Sequence, residues 1–128
     1  MQNNSTFNWN LNITKKYNII YADPPWKYNT DANKHYECVA LKEIYNFPID
    51  KIAAKNCALF LWVTFPILPE CLETLKHWGF RYVTVAFNWI KTNRRDGKPF
   101  LGMGNWTRSN AEICIFALRG KLKRKSNK

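Results

Sequence analysis

Asp23, Pro24, Pro25 and Trp26 directly follow a short apolar run, and together they suit chemistry on an exocyclic amino group. The lone pair of such a nitrogen is delocalised into the base, so the nitrogen is a poor nucleophile. If the Asp23 carboxylate and the Pro24 carbonyl accept its two N–H groups, they draw it toward tetrahedral geometry and free the lone pair. Proline restricts the backbone and so holds that carbonyl in place.

Trp26 offers a flat face on which a base taken out of its stack would rest, a contact worth about 1–3 kcal/mol. The position of the motif also favours a binding site, because open α/β sheets bind ligands beyond the carboxyl ends of their strands. The alternative is structural: a strand that ends at Asp23, a rigid turn, and a Trp26 ring that fills the core. The tetrapeptide after an apolar strand favours function over this alternative.

The elements that must position this motif are apolar runs that alternate with helical segments. We expect four strands, at Tyr17–Ala22, Cys57–Val63, Arg81–Ile90 and Ala111–Leu118. Continuous apolar sequence in the first two runs is typical of buried strands, and the second predicts a strand covered on both faces. A helix from Leu68 to Trp78 ends at Gly79, and one or two short helices fall within Leu41–Ala54. The pattern predicts an α/β domain with a largely parallel sheet.

Charge and composition restrict the class of protein. The 128 residues allow one domain, and 46% hydrophobic residues exclude a disordered chain. The net charge of +11 favours an anionic partner, most simply nucleic acid. Charge alone does not separate DNA from RNA or a membrane surface, and a basic protein kept soluble by its lysines is the alternative. The cationic loop around Arg94, Arg95 and Lys98 either contacts phosphates or forms a solvated basic hairpin.

Cysteines and targeting signals point to a reducing cytosol, so we expect a cytoplasmic protein. The four cysteines form no CxxC pair, and Cys57, Cys71 and Cys114 lie in apolar runs, where thiols pack as small hydrophobes. His35 and His77 are isolated, so no metal site is expected. No signal peptide is visible, and the longest apolar run is too interrupted to span a bilayer.

Four blocks occur in an order that resembles the MT-A70 family of adenine N6-methyltransferases: YADPPWKYN, LFLWVT, NWIKTN and GNWTRSNAEIC. The resemblance covers Tyr17 to Gly120. It implies a Rossmann-like methyltransferase fold, S-adenosylmethionine (SAM) as methyl donor, and adenine in DNA or RNA as substrate. The expected organisation is an N-terminal extension (1–16), a partial methyltransferase domain (17–120) and a basic tail (121–128).

The resemblance also assigns roles to individual residues. Asp23 to Trp26 match the family's catalytic tetrapeptide, and Asp23 is also expected to contact the cofactor. The substrate side is expected to include Tyr36, Trp89, Lys91, Arg94, Arg95, Arg108, Asn110 and Glu112. Tyr36 lies in a HYECV segment that departs from the family pattern, and Ile90 replaces a valine. Ordinary strand packing is the alternative for Trp89, and a structural ion pair is the alternative for Glu112.

The resemblance further implies an incomplete fold. Family members continue with a His-Ser-Arg-Lys-Pro block and a Leu-Glu-Leu-Phe-Ala-Arg strand, which carry cofactor contacts and do not occur here. We therefore expect a bare sheet edge, exposed apolar surface and little activity of this chain alone. The alternative function is a non-catalytic nucleic-acid-binding subunit that works with a second methyltransferase-like chain. A generic basic RNA-binding domain is disfavoured because no RNP, KH or cold-shock pattern is present.

Overall fold

The computed structural model describes residues 8–27, 39–102, 104 and 106–126. Its strands and α-helices are β1 (Tyr17–Ala22), α1 (Leu41–Tyr45), β2 (Ala53–Thr64), α2 (Leu68–His77), β3 (Arg81–Ile90) and β4 (Ala111–Arg119). Short 3-10 helices occupy Ile49–Lys51 and Phe65–Ile67. All four predicted strands are therefore present, and β2 begins earlier than predicted, at Ala53.

The four strands form one mixed sheet in the order β1-β2-β4-β3. β1 pairs with β2 in parallel, whereas β4 is antiparallel to both of its neighbours. β1, β2 and β3 thus run in the same direction, and β4 runs in the opposite direction between β2 and β3. The connection from β3 to β4 contains no described helix, and a strand that returns beside its predecessor in this way must pair antiparallel. The molecule is a mixed α/β structure, and the prediction of a largely parallel sheet is wrong, because two of its three strand pairings are antiparallel.

One face of the sheet carries the hydrophobic core. Alternate residues of β2 and β4 point to this face and are buried: Leu59, Leu61, Val63, Ile113, Ile115 and Ala117. Helix α2 covers them with Cys71 and Leu75. Its C-terminus closes at Gly79, which has φ of +72° and so adopts a left-handed conformation that a side chain would oppose. The Trp78 indole N–H donates to the Ile44 carbonyl at 2.9 Å and ties α2 to α1.

The opposite face of the sheet, which we name the aromatic face, carries Tyr21, Phe60, Trp62, Phe87, Trp89 and Phe116. Register places Tyr21 beside Phe60 and Phe60 beside Phe116. The Phe60 ring lies 5.1 Å from the ring of Phe116 and 6.0 Å from that of Phe87. Both described α-helices contribute to the core on the other face. The sequence predicted that β2 would be covered on both faces. Within the described residues it is covered on one face only.

β1 forms one edge of this sheet, and its outward side chains are exposed. Ile19 and Tyr21 are each 67% exposed, whereas Ile20 and Ala22 pack against the core. The prediction of a buried first strand is thus wrong for its outward-facing residues, which are exposed because β1 lies at the edge of the sheet. An edge strand with apolar side chains agrees with the expected bare edge and exposed apolar surface.

Candidate active site

The DPPW segment begins where β1 ends, and backbone hydrogen bonds fix its shape. The Trp26 N–H donates to the Pro24 carbonyl at 2.8 Å, which closes a tight turn around Pro25. The Val39 N–H donates to the Pro25 carbonyl at 3.0 Å. A carbonyl oxygen has two lone pairs, so the Pro24 oxygen retains one acceptor position after binding Trp26. The turn therefore holds the Pro24 carbonyl in one orientation beside Asp23.

Trp26 itself lies in the core. Its side chain is 4% exposed, and its indole N–H donates to the Trp62 carbonyl at 2.9 Å. The ring face that we expected to stack on a base is covered here. The packing corresponds to the structural alternative, because a large apolar ring that follows an edge strand gains most by entering the core. Trp26 holds the motif against the sheet.

A pocket of about 400 Å³ opens beside Asp23 at the end of the aromatic face. Every strand contributes to it: Tyr21, Asp23, Trp62, Asn88, Trp89 and Glu112 line its walls. The Trp62 indole N–H donates to the Tyr21 hydroxyl at 2.6 Å. The Trp62 ring also meets the rings of Tyr21 and Trp89 edge to face, with centroids 6.5 and 6.4 Å apart. The pocket therefore combines aromatic walls with two carboxylates.

The two carboxylates have different surroundings. Partial burial, and then the nearby Glu112 carboxylate, raise the pKa of Asp23 above its ordinary value. Glu112 forms an ion pair with Lys91, so the predicted alternative for Glu112 is present in the structure. The Lys91 ammonium also lies 5.1 Å from the centre of the Trp89 ring, a cation–π contact. Lys91 thus contacts two of the residues that line the pocket, Glu112 and Trp89. Among the described residues that line the pocket, none is a cation that pairs with Asp23.

The remaining predicted residues lie around the pocket or apart from it. Asn110 accepts the Lys91 backbone N–H at 2.8 Å and so joins the end of β3 to the start of β4. Arg94 and Arg95 lie on an exposed turn, closed by the Asn93 N–H to Lys98 carbonyl bond of 2.7 Å. Arg108 is exposed and does not line the pocket. Tyr36 lies outside the described residues.

Three pocket residues were not predicted from the sequence: Tyr21, Trp62 and Asn88. Tyr21 lies in a run that we predicted as a buried strand, and Trp62 lies in a run that we predicted as a strand covered on both faces. The signal that would have identified them is strand alternation. Asp23 lies two residues after Tyr21, and aromatic residues recur at alternate positions of β2, where Phe60 is followed by Trp62.

The described residues contain no group of three or more His, Cys, Asp or Glu side chains that would hold a metal ion. The three described cysteines, Cys57, Cys71 and Cys114, are unpaired and buried, which confirms their predicted packing role. Burial, followed by the nearby Cys114, raises the pKa of the Cys71 thiol to about 12, so this thiol stays protonated. No described helix has the length and apolar character needed to cross a membrane.

Fold and pocket together define a mixed α/β protein with a carboxylate and aromatic site beyond the end of a strand. Residues 17–128 match the model of the MT-A70 family, and the chain belongs to that family. The match includes all four strands, both α-helices and every residue of the pocket.

Similar proteins include two named methyltransferases and one named non-catalytic methyltransferase subunit. The type II methyltransferase M.MunI of Mycoplasma sp is 30% identical over 131 residues, which cover 84% of this chain and 53% of M.MunI. The human N(6)-adenine-specific methyltransferase METTL4 is 38% identical, over 63% of this chain and 18% of METTL4. The N6-adenosine-methyltransferase non-catalytic subunit MTB of Arabidopsis thaliana is 29% identical, over 88% of this chain and 15% of MTB. This chain spans about half of M.MunI and less than a fifth of the other two.

Proposed function

We propose that this chain carries the adenine-handling part of an N6-adenine methyltransferase that acts on DNA or RNA. The observation that carries the proposal is the pocket in which Asp23 of the DPPW motif faces aromatic walls. A volume of about 400 Å³ lies in the range of small-ligand pockets, and aromatic walls with a few fixed polar groups are typical of such sites.

In this proposal, Asp23 and Pro24 act on the amino group. The Asp23 carboxylate and the free lone pair of the Pro24 carbonyl accept the two N–H groups of adenine, which localises the nitrogen lone pair for attack on a methyl group. The turn that fixes Pro24 is supported by the Trp26 N–H. After transfer, the methylated amine is acidic, and its proton leaves through Asp23 or water.

The base itself contacts aromatic residues other than Trp26. Trp89 is 54% exposed and Tyr21 is 67% exposed, so both rings are accessible to a ligand in the pocket. Lys91 occupies one side of the Trp89 ring, and the Tyr21 hydroxyl fixes the Trp62 indole. We therefore assign the stacking role that the sequence suggested for Trp26 to the rings that line the pocket.

The methyl donor that the family implies is SAM, and the pocket chemistry fits it. SAM supplies a methyl group on a positively charged sulfonium, and the Asp23 carboxylate beside aromatic rings favours a cation. Asp23 is the described residue that we propose to contact it. We also propose an incomplete Rossmann-like arrangement, because β1, β2 and β3 run in one direction and Asp23 lies beyond the carboxyl end of β1.

Nucleic acid is the proposed partner, and the cytoplasm is the proposed location. Support for a nucleic-acid partner comes from the net charge of +11 and from the exposed cations of the β3–β4 connection, including Arg94 and Arg95. Arg108 is exposed in the same connection and adds to this basic surface.

A non-catalytic subunit that works with a second methyltransferase-like chain is the alternative, and the similarity to MTB supports it. An intact DPPW motif with an ordered turn and a pocket favours the catalytic proposal.

The proposal is tested by methyl transfer. The protein is incubated with SAM and with adenine-containing single-stranded DNA or RNA, and N6-methyladenine is measured by mass spectrometry against Asp23→Asn as the matched control. The wild-type protein should form more product than the variant. Equal, measurable amounts of product from both proteins would show that Asp23 does not act on adenine, and no product from either protein would leave the non-catalytic alternative.

A further inference from the structure

A second concave surface lies on the core side of the sheet, away from the candidate active site. This groove has a volume of about 660 Å³ and runs between α2 and β3. Leu68, Leu72 and Leu75 form its helical wall, and Tyr82 and Val85 form its strand wall. The spacing of the three leucines by four and three residues places them on one stripe of α2.

The groove is apolar and open. Leu72 is 37% exposed and Tyr82 is 52% exposed, although both are large apolar side chains. Lys76 and Arg81 also line the groove, and both residues are exposed. An exposed apolar groove with a charged edge is typical of a protein interaction surface.

We propose that a second copy of this chain docks on this groove, so that the protein forms a symmetric dimer through α2 and β3. In a two-fold arrangement the same patch meets itself, so it must be self-complementary. The apolar part meets this condition, because Leu72 belongs to the wall of its own groove and is exposed enough to enter the groove of the other copy. The two α2 helices then lie antiparallel.

Charge complementarity favours a second copy over an unrelated partner. The described acidic residues of α2 are Glu70 and Glu73, in its first two turns, and its last turn carries Lys76 and His77. Antiparallel packing about Leu72 brings the acidic part of one helix beside the basic end of the other. Glu73 and Lys76 form a solvent-exposed pair within each copy, at 2.9 Å, and such exposed pairs exchange partners at little cost.

The dimer leaves the candidate active site open. Side chains alternate between the faces of a strand, and the groove uses Ile113 and Ile115 of β4, whereas the pocket uses Glu112. The net charge of +11 on each copy opposes association, but at physiological salt charges more than about 8 Å apart are largely screened. The inference does not depend on methylation, and its test uses no enzymatic readout.

The test is sedimentation equilibrium of the full chain at physiological salt, over concentrations up to about 1 mM. The wild-type protein should show a concentration-dependent mass of about twice the 15.2 kDa of one chain. Leu72→Glu should weaken the dimer at least about tenfold, because it places a charge at the centre of the contact. Ile19→Glu is the matched control, since it adds the same charge to an exposed apolar side chain of β1 and should leave the dimer unchanged.

A second pair of variants covers the case in which Leu72→Glu disturbs the fold. Glu73→Lys and Lys76→Glu should each weaken self-association, and an equal mixture of the two should form mixed dimers. A monomer at every wild-type concentration would overturn the proposal. It would also be overturned by a dimer that Ile19→Glu disrupts and Leu72→Glu does not, because the exposed edge at β1 would then be the interface.

Discussion

Asp23 as a whole residue is open to solvent, but its neighbours partly desolvate the carboxyl group. This desolvation, followed by the nearby Glu112 carboxylate, raises the pKa of Asp23. A carboxylate with a perturbed pKa at a pocket is more typical of a site that performs chemistry than of one that stabilises a fold. Ion-pair networks also perturb pKa values, but Glu112 has its cation in Lys91 and the structure describes no such pair for Asp23. Substitution of Asp23, with melting temperature and methyl transfer both measured, therefore distinguishes a role in chemistry from a role in stability.

Asp23→Asn should strongly reduce methyl transfer without loss of stability. Because the folded pKa is raised, the folded protein binds this proton more readily than the unfolded chain, and stability falls as pH rises through the raised pKa. Removing the charge should therefore leave the melting temperature equal or slightly higher at neutral pH. Methyl transfer should fall about a hundred- to a thousand-fold. A lower melting temperature in proportion to lost activity would indicate a structural role instead.

Glu112→Gln should lower the pKa of Asp23. The Glu112 carboxylate is the second cause of the raised pKa, and its removal makes ionisation of Asp23 easier. Titration of the Asp23 carboxyl carbon by NMR measures this directly, and the acid limb of the methylation rate should move to lower pH with it. Asp50→Asn is the control, because Asp50 pairs with Arg119 at the other end of β4. An unchanged Asp23 titration in Glu112→Gln would contradict the proximity of the two groups.

Trp26→Ala and Trp89→Ala should separate core packing from base binding. Trp26 is 4% exposed, so its truncation should lower the free energy of unfolding by about 3–5 kcal/mol in urea denaturation. Trp89 is 54% exposed, so the same change there should cost about 0.5 kcal/mol of stability. Adenosine binding should instead weaken by about 1–3 kcal/mol in Trp89→Ala. The reverse pattern would return the stacking role to Trp26.

At the scale of elements, the apolar runs predicted the four strands and α2, because burial and periodicity are local properties of sequence. The direction of β4 was not predictable in this way. Direction depends on the connection from β3, where the bridge between Thr92 and Pro99 starts a return without a crossover helix. The apolar runs also do not indicate which face of each strand is buried, so Tyr21 and Trp62 were not predicted as site residues.

The basic turn between β3 and β4 should contribute to nucleic-acid affinity. Arg94 and Arg95 are exposed on this turn, and each phosphate contact that is lost should reduce the log–log salt slope of binding by about 0.7–0.9. Fluorescence anisotropy of Arg94→Ala with Arg95→Ala measures the slope on a labelled single strand. Lys42→Ala with Lys51→Ala removes the same charge from exposed residues on and after α1. Equal losses in both double variants would indicate general charge and not a contact surface.

In the whole molecule, the aromatic face is an apolar surface of the sheet that the described helices do not cover. β2 and β4 are apolar on both faces, as Phe60 and Phe116 show beside Leu59 and Ile115. Such strands are typical of sheets covered on both sides. Within the described residues only one side is covered, and the other leads into the pocket. The resemblance predicted this exposed apolar surface, whereas the continuous apolar run predicted a strand covered on both faces.

Recognition of the adenine amino group by the pocket is measurable by NMR of the tryptophan indole N–H signals during titration with nucleosides. Adenosine should shift the signals of Trp62 and Trp89, which line the pocket, and leave that of the buried Trp78 unchanged. Purine riboside lacks the amino group and should bind about ten- to a hundredfold more weakly, because hydrogen bonds to a charged acceptor contribute about 1.5–3 kcal/mol. Equal affinity for both nucleosides in the titration, or no shift with adenosine, would contradict recognition of the amino group.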